Sequence, residues 1–488
     1  MEKTETDCLT LHFEKFRRNI IGINQVIPTP YGEKKLVYTD WTASGRLYKP
    51  IEEKITNTFG PFLANTHTET TFTGQFITHA YHEALKIIKN HVKATNDFII
   101  IQAGYGMTGA IQKLQRILGL KVHEKYRHSI RQSLDRIPLV FVSSLEHHSN
   151  HISWLETIAD VKLIPFDDNG IPDLNAYENL LRAYTNRPIY LSISACSNVT
   201  GIQPPVADFI RLTKQYGGKA FVDYACSAPY VDMDLSVNES FRPDAIVFSP
   251  HKFLGGPGTG GILIMHKDLY QNAIPDEPGG GTVIWTDPWD GAVYLKDIEA
   301  RETGGTPGFL LAIKTALAVK LKEQMDTKKI RQREHILITK FIDGITAIDG
   351  IKLLEDRHKN RLGVFSIISD KIPYTLMVRL LNDLFGIQAR GGCSCAGTYG
   401  HYLFHIDREK SRKLKTEILH NHPEVKPGWT RISIHPTTTE AEIDSVLEAL
   451  EYIQKHGLHI AQTDYRLVKG EFYHNNYRNS FHEDKFNL

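Results

Sequence analysis

The sequence predicts an α/β fold, with a large domain built on a mostly parallel seven-stranded sheet covered by helices and a smaller α+β domain. Short, nearly continuous apolar runs alternate with helix-like stretches through the first three hundred residues, and long helical stretches replace them from about residue 307. Strands that are apolar on both faces are typical of parallel sheets buried between helices. At 488 residues the chain is also longer than one domain usually is.

Seven apolar runs are predicted as the strands of the large sheet: 98–102, 139–143, 161–165, 189–194, 219–223, 244–248 and 261–265. Helix candidates lie between these runs, at 108–119, 150–158, 173–185 and 205–217. Two longer helical stretches open the second domain, at 309–325 and 329–347. We therefore expect four parts of the chain: an N-terminal segment at 1–35, a large domain at 36–306, a small domain at 307–455 and a C-terminal tail at 456–488.

Composition and charge exclude several classes of protein. The 57 basic residues nearly cancel the 56 acidic ones, for a net charge of +1, which leaves no electrostatic footprint for nucleic acid or an anionic membrane. No apolar run approaches the ~20 residues that span a bilayer, and the N-terminus lacks the apolar centre of a secretory signal. Five cysteines are too few for a disulfide scaffold. We therefore expect a cytoplasmic protein that binds neither nucleic acid nor membranes.

A glycine-rich turn follows the first predicted strand of the sheet. The stretch from Gly104 to Gly109 matches G-x-G-x-x-G and leads directly into a helix candidate. This match can indicate a dinucleotide fingerprint or a plain tight turn. Because free backbone N–H groups at a helix start bind anions, and Thr108 adds a hydroxyl, we favour a site for one phosphate.

Three histidines follow the strand at 139–143, at positions 147, 148 and 151. They raise the question of a metal, but no carboxylate or cysteine is spaced to complete a zinc site. We therefore predict no metal. A flat imidazole directly after a strand end, as at His147, suits ring stacking or proton transfer.

Two other strand ends carry a carboxylate and an amine. Asp223 ends one apolar strand, where a buried carboxylate is costly unless it meets a cation or strong donors, although a simple helix cap is the alternative. The strand at 244–248 is followed by Ser249, His251 and Lys252. A desolvated lysine can act as an amine nucleophile. An amine, a carboxylate, a flat imidazole and a phosphate cradle match what pyridoxal 5'-phosphate requires of a protein, so we predict this cofactor.

The segments that carry these residues resemble the class V aminotransferase family of fold-type I pyridoxal phosphate enzymes. Within that family they are most similar to cysteine desulfurases and selenocysteine lyases. The similar segments are EHHSN (146–150), SNVTG (197–201), VDYACSAP (222–229) and SPHKFLGGPG (249–258), and the resemblance covers about residues 36–455. It implies the fold-type I PLP-dependent transferase fold, with Lys252 bonded covalently to the cofactor and Asp223 paired with its pyridine nitrogen.

The resemblance also implies further cofactor contacts: His147 on the ring face, Asn198 near the phenolic oxygen, and Thr108, Ser249 and His251 at the phosphate. The segment GGTPG (304–308) resembles one that reaches the phosphate of a neighbouring subunit. Thr306 is therefore expected to act across the interface of a homodimer.

Two further segments resemble substrate-binding parts of the family. RISIHPT (431–437) implies that Arg431 binds the substrate carboxylate, which suits the forked geometry of a guanidinium group. ANTHTETT (64–71) places His67 near the substrate. The chain departs from the family at Cys226, where glutamine is usual, and at His435, where an asparagine often follows the arginine segment. Both departures concern the fine details of substrate specificity.

The stretch 386–401 contains two cysteines among glycines, so we expect a mobile, open loop. Arg390, Gly392 and Cys395 fit the R-x-G-x-x-C spacing of the desulfurase loop that carries the sulfur-accepting thiol. The GCSC form resembles the desulfurase domain of molybdenum-cofactor sulfurases. Thiolate is the reactive form of cysteine, and a neighbouring cation such as Arg390 favours it. Alternatives are a C-x-C half-site for zinc, a buried structural thiol, or an accidental pair with Cys393 in a transaminase-like enzyme.

The sequence thus predicts a PLP-dependent, cysteine desulfurase-like enzyme that passes sulfur from L-cysteine to Cys395 and forms L-alanine. The expected substrate contacts are Arg431, Arg390 and His67, and the expected catalytic groups are Lys252, Cys395 and His147. The alternative is another class V enzyme that does not use Cys395: a selenocysteine lyase, an epimerase, a lyase or an aminotransferase. Expected partners are a small amino acid, a second copy of the chain and a sulfur-acceptor protein.

Overall fold

The computed structural model of the chain describes residues 5–66, 68–478 and 483–487. Within these residues no helix combines the length and the apolar character needed to cross a bilayer. The α-helices are α1 (Glu5–Arg17), α2 (Lys49–Lys54), α3 (Phe72–His91), α4 (Met107–Ile117), α5 (Glu124–Ser133), α6 (His148–Leu155), α7 (Leu174–Ala183), α8 (Val206–Gln215), α9 (Ile298–Arg301), α10 (Phe309–Met325), α11 (Thr327–Thr346), α12 (Tyr374–Phe385), α13 (Gly397–Leu403), α14 (Arg408–Leu419) and α15 (Glu440–Asp464).

The strands are β1 (Val26–Thr29), β2 (Gly32–Lys35), β3 (Val37–Tyr38), β4 (Phe98–Ala103), β5 (Leu139–Ser143), β6 (Asp160–Ile164), β7 (Ile189–Ser194), β8 (Lys219–Asp223), β9 (Ala245–Phe248), β10 (Gly261–His266), β11 (Val283–Asp287), β12 (Gly291–Tyr294), β13 (Ile351–Leu353), β14 (Val364–Ser369), β15 (Ile387–Gln388), β16 (Arg390–Gly392), β17 (Trp429–Ser433), β18 (Tyr465–Val468) and β19 (Glu471–His474). Short 3-10 helices include Pro250–Lys252, directly after β9.

The predicted fold class is confirmed by a seven-stranded sheet in the order β4-β10-β9-β8-β7-β5-β6. The five strands from β9 to β6 are parallel to one another, and β10 runs antiparallel to both of its neighbours. Each of the seven predicted strands matches an observed strand to within one residue at either end. Parallel neighbours bring the carboxyl ends of β5, β7, β8 and β9 to one edge of the sheet.

Both faces of this sheet are covered, which explains the continuous apolar runs. Every residue of β5 and of β9 is buried. Neighbouring side chains on a strand belong to different cores: Ile100 and Phe141 pack on one face, while Ile101 and Val142 pack on the other. Since successive side chains of a strand point to opposite faces, a strand between two cores must be apolar throughout.

A second, four-stranded antiparallel sheet has the order β13-β14-β17-β16. Its core includes Phe341 of α11 stacked on Phe365 of β14, with ring centroids 4.2 Å apart. The neighbouring strand β15 pairs in parallel with β3, from the N-terminal part of the chain. One further bridge joins Asp40 to Ser433 of β17, so the segment after β3 lies against this second sheet.

The C-terminal region is ordered beyond the boundary expected at residue 455. Helix α15 begins with a capping box, in which Thr439 and Glu442 satisfy each other's backbone N–H groups, and continues to Asp464. The hairpin of β18 and β19 follows directly. Because one helix crosses residue 455, the limits of the small domain and of the tail stay a prediction.

Candidate active site

A cavity of about 260 Å³ opens at the carboxyl ends of the parallel strands. Ten of the twelve predicted site residues line it: Thr108, His147, Asn198, Asp223, Ser249, His251, Lys252, Arg390, Cys395 and Arg431. His67 lies outside the described residues. Thr306 is exposed, and its hydroxyl donates a hydrogen bond to Asn65 Oδ1 at 3.3 Å rather than lining the cavity. The structure thus brings together residues that lie more than 320 positions apart in the chain.

Lys252 is placed at the cavity by the short 3-10 helix that follows β9. Burial lowers the pKa of its amine, and the nearby Cys226 and Asp223 oppose that effect. Among the described residues, no hydrogen bond or ion pair engages its Nζ atom. A partly buried amine with a lowered pKa and no protein partner is available for covalent chemistry with an aldehyde.

Asp223 ends β8 and is 5% exposed. Its Oδ1 atom accepts a hydrogen bond from the backbone N–H of Ala225 at 2.8 Å. Burial raises the pKa of the carboxyl group to about 6, while this hydrogen bond and Lys252 act against the shift. Within the described chain the second carboxylate oxygen has no hydrogen-bond donor. An N–H group of a heterocycle in the cavity would supply that donor.

The start of α4 forms an anion cradle with two neighbouring segments. Its first N–H group donates to the Ser249 hydroxyl at 2.8 Å, and Thr108 Oγ1 lies 2.6 Å from Ser149 Oγ. The preceding Gly106 has a φ of +72°, and a Cβ atom there would lie 2.6 Å from His251 Cε1. Only glycine allows this close approach, which joins hydroxyls, an imidazole and a helix N-terminus in one place. Such an arrangement suits a phosphate.

His147 lines the cavity as the residue before α6. Burial, with a smaller effect of Lys252, lowers its pKa to about 3, so the ring is neutral at physiological pH. A neutral, flat ring suits the predicted stacking role.

The two other histidines of this segment bind a different part of the molecule. His148 Nε2 accepts a hydrogen bond from the N–H of Gly397 at 2.9 Å, and His151 Nδ1 lies 3.1 Å from Thr398 Oγ1. Both contacts hold the start of α13, next to the cysteine loop. No group of three or more potential metal ligands occurs in the part of the chain that the structure describes.

Cys395 is exposed and lies between β16 and α13. Ser394 and Cys395 both have left-handed backbones, with φ of +49° and +56°, which is uncommon outside glycine. Hydrogen bonds fix this conformation: Asn198 Nδ2 donates to Ser394 O, and the N–H of His148 donates to Cys395 O, each at 2.7 Å. Trp429 Nε1 donates to Ser394 Oγ at 3.1 Å. These bonds do not fit the prediction of a mobile loop.

Asn198 therefore has a contact that the sequence did not predict. Its side-chain amide binds the cysteine loop, and its backbone oxygen accepts a hydrogen bond from Arg431 Nη1 at 3.1 Å. A contact with a cofactor's phenolic oxygen stays a prediction.

The two predicted substrate arginines share one carboxylate. Arg390 and Arg431 are paired across β16 and β17. Arg431 Nη2 lies 2.8 Å from Asp40 Oδ1, and Arg390 Nη2 lies 2.8 Å from Asp40 Oδ2. The buried Arg431 Nε atom has no hydrogen-bond partner within the described residues. Two guanidinium groups against one carboxylate leave one positive charge in excess. Asp40 is a site residue that the sequence reasoning missed.

Glu146 is a second residue that the sequence reasoning missed. This fully buried carboxylate accepts hydrogen bonds from the Ser143 hydroxyl at 2.5 Å and from Asn150 Nδ2 at 2.7 Å. The N–H and hydroxyl of Ser194 also donate to it, at 2.8 and 2.5 Å. Burial raises the pKa of Glu146 to about 7, against the effect of these bonds. The network ties the segment of His147 to the end of β7. The sequence could have indicated Glu146, because it is a charged residue shortly after the end of a buried strand.

Residues 37–446 match the model of the class V aminotransferase family. The chain belongs to this family. Family members are PLP-dependent enzymes, and this chain is a class V PLP enzyme. The residues present fit the cofactor: the unpartnered Lys252 amine, the unpaired oxygen of Asp223 and the anion cradle at α4 match its aldehyde, its ring nitrogen and its phosphate.

Probable cysteine desulfurases are among the similar curated proteins. One from Staphylococcus aureus is 25% identical over 368 residues, which cover 74% of this chain and 84% of that protein. One from Aeropyrum pernix is 25% identical over 435 residues, which cover 87% of this chain and 96% of that protein. At this distance the similarity makes the chain a desulfurase-like member of the family.

Solved structures of cysteine desulfurases share the fold. The apo structure from Thermococcus onnurineus superposes with a TM-score of 0.73 at 22% identity, covering 91% of this chain and 98% of that one. A structure from Escherichia coli gives 0.70 at 21% identity, covering 92% and 98%. These similarities confirm the fold class predicted from the sequence.

Proposed function

We propose that this class V enzyme is a cysteine desulfurase, which transfers sulfur from L-cysteine to Cys395 as a persulfide and forms L-alanine. One observation carries the proposal. The exposed thiol of Cys395 belongs to the same cavity as the partly buried Lys252 and the buried Asp223. A thiol in that position can meet the sulfur of an amino acid whose Cα lies near the lysine.

The cavity residues divide the binding of the cofactor among them. Lys252 would hold pyridoxal phosphate covalently, Asp223 would accept a hydrogen bond from its ring nitrogen, and the cradle of Thr108, Ser249 and His251 would bind its phosphate. When bound, the cofactor supplies an acceptor for the electrons released as bonds at the substrate Cα and Cβ break.

Lys252 is also the group that moves a proton at the substrate Cα. With cofactor and substrate bound, its Nζ atom would act as a base. Burial lowers its pKa, which increases the fraction of neutral amine at physiological pH. His147, a neutral ring that lines the same cavity, would stack on the cofactor ring.

Arg431 and Arg390 would receive the substrate carboxylate. Their charge is only partly balanced by Asp40, and the unpartnered Nε atom of Arg431 remains as a donor. A carboxylate would therefore gain charge-assisted hydrogen bonds at this position. This contact orients the substrate with its sulfur towards the cysteine loop.

The sulfur transfer is a nucleophilic displacement by Cys395. Its thiolate attacks the substrate sulfur, an S–S bond forms as the Cβ–S bond breaks, and the electron pair of the broken bond is taken up with a proton at Cβ. The net change is L-cysteine plus a thiol to L-alanine plus a persulfide, with no external oxidant. The left-handed loop presents the thiol to solvent, so the persulfide is open to a sulfur-acceptor protein.

The test is an incubation of the purified protein with L-cysteine, scored for alanine and for sulfide released by a reductant. The proposal predicts equal amounts of both, and Cys395→Ala should produce neither. Cys393→Ala is the matched control, since it removes a thiol two residues away. Turnover of another amino acid, with Cys395→Ala fully active, would instead support a class V reaction that needs no thiol.

We also propose that the enzyme is a homodimer. Several large apolar side chains are exposed in the single chain, including Tyr105 at 93%, Phe72 at 67% and Trp289 at 85%. Exposed aromatic residues on this scale support an interaction surface, and symmetric pairs are the commonest soluble oligomers. Thr306 is also exposed and could then reach the partner's site. Light scattering of the active protein should give twice the mass of the chain, and an active monomer would contradict the proposal.

A further inference from the structure

Two other cysteines line the cavity, and the proposed sulfur transfer uses neither. Cys196 follows β7 and Cys226 follows β8, the neighbouring parallel strand. Both are free thiols, 3% and 7% exposed, and both belong to the cavity wall. The family resemblance implies a glutamine at the position of Cys226, so the pair departs from the pattern that the resemblance implies.

The two thiols are close to each other. Cys196 Sγ lies 3.4 Å and Cys226 Sγ lies 3.7 Å from the same acceptor, the carbonyl oxygen of Ser197. Each thiol also shifts the pKa of the other. Strands β7 and β8 stay paired up to Ser194 and Asp223, and the N–H of Ala195 donates to Asp223 O at 2.9 Å, so the two cysteines follow neighbouring strand ends.

The surroundings distinguish the two sulfur atoms. The neighbouring Cys196 thiol and, more weakly, the positive charge of Lys252 lower the pKa of Cys226, whereas burial raises that of Cys196. Cys226 is therefore the better nucleophile, and Cys196 is a neighbouring thiol that can react with its oxidised form. Because both line an open cavity, a small molecule can reach them.

We propose that Cys196 and Cys226 form an oxidation site for small hydroperoxides, which convert the pair into an intramolecular disulfide. The Cys226 sulfur attacks the O–O bond, which gives a sulfenic acid and releases one molecule of water or alcohol. Cys196 then attacks the sulfenic sulfur and a second water leaves. The pair loses two electrons and two protons, and the hydroperoxide is reduced. A dithiol reductant reverses the change.

The disulfide would change the surroundings of the reactive lysine. Of the charged groups around Lys252, Cys226 has the largest effect on its pKa, ahead of Asp223. Oxidation removes that thiol. Oxidation of the pair therefore changes the surroundings of Lys252 inside the cavity. It does not depend on whether Cys395 accepts sulfur.

The test is peptide mapping of the full-length protein after brief treatment with hydrogen peroxide, quenching, unfolding and alkylation. Trypsin separates the two cysteines, because Arg211, Lys214 and Lys219 lie between them. We expect the two peptides to be joined by a disulfide that a reductant reverses. If both cysteines stay alkylated as free thiols, or if only sulfinic acid forms on them, the proposal is wrong.

Variants sharpen the test. In a background with serine at positions 8, 393 and 395, only the proposed pair remains, so loss of two thiols per chain reports on it alone. Adding Cys226→Ser should leave Cys196 unoxidised at the same peroxide dose. Adding Cys196→Ser should convert Cys226 to sulfenic or sulfinic acid. Equal oxidation of Cys196 with and without Cys226 would overturn the proposal. The unsubstituted protein provides the same readout if a variant fails to fold.

Discussion

The floor and the mouth of the cavity are built by different means. The floor consists of Asp223 and Lys252, at the ends of paired parallel strands whose apolar runs are continuous. The mouth is a short loop in which Ser394 and Cys395 take left-handed backbones, fixed by a bond from Asn198. The sheet determines where the floor residues lie. The conformation of the mouth is determined by side-chain contacts between residues that lie some two hundred positions apart in the sequence.

This difference separates two tasks. The floor offers a partly buried amine and a buried carboxyl, whose altered pKa values follow from desolvation. The mouth offers an exposed thiol and two arginines that share one carboxylate. Cofactor binding should therefore depend on the floor and the anion cradle but not on the mouth, and sulfur transfer should depend on all three.

The largest expected effect is that of Lys252→Ala on the floor. Turnover should fall by about four orders of magnitude or more, because the variant lacks both the covalent attachment and the base. Borohydride reduction of the normal enzyme followed by peptide mapping should place the pyridoxyl group on Lys252. A label on another lysine would contradict the assignment of the floor.

Cys395→Ala should affect the mouth alone. Release of sulfide from L-cysteine should fall by about a hundredfold or more, because one step loses its nucleophile, while the cofactor absorbance stays unchanged. Cys393→Ala should be milder. If Cys393→Ala were inactive and Cys395→Ala active, the sulfur acceptor would be Cys393 instead of Cys395. A changed absorbance in Cys395→Ala would contradict the separation of the two regions.

Asn198→Ala should have a smaller effect, since it removes one hydrogen bond to the cysteine loop. A hydrogen bond contributes about 1 kcal/mol, so persulfide formation should slow roughly fivefold. The absorbance maximum of the bound cofactor should not move. A shifted maximum would show that Asn198 contacts the cofactor, as the family resemblance implies. Rapid-quench and absorbance measurements on one sample distinguish the two results.

Glu146→Gln should alter stability and its pH dependence. The pKa of this carboxyl is raised to about 7 in the fold, so between pH 4.5 and 7 the native state holds a proton that the unfolded chain has lost. Rising pH therefore costs stability through this window, by up to about 3 kcal/mol from this group. Relative to the wild type, the glutamine variant should become more stable as pH rises from 4.5 to 7. Thermal unfolding at several pH values checks this, and a constant difference would contradict it.

The sequence predicted most of the floor, because strands buried on both faces have continuous apolar runs and their ends can be located. Asp223 and Lys252 were placed in this way. It did not predict that Asp40 pairs with two arginines some 350 to 390 positions away, or that Asn198 binds Ser394. Such pairs leave no periodic pattern along the chain. For the same reason the glycines of the cysteine loop suggested a mobile loop. The residues whose hydrogen bonds fix the loop lie elsewhere in the sequence.

Mass spectrometry of the Cys395 peptide after one turnover with L-cysteine tests the central claim most directly. The account predicts that this peptide gains the mass of one sulfur atom, that a reductant removes it, and that one alanine forms per sulfur bound. Alanine formed in equal amount without sulfur on Cys395 would contradict the account.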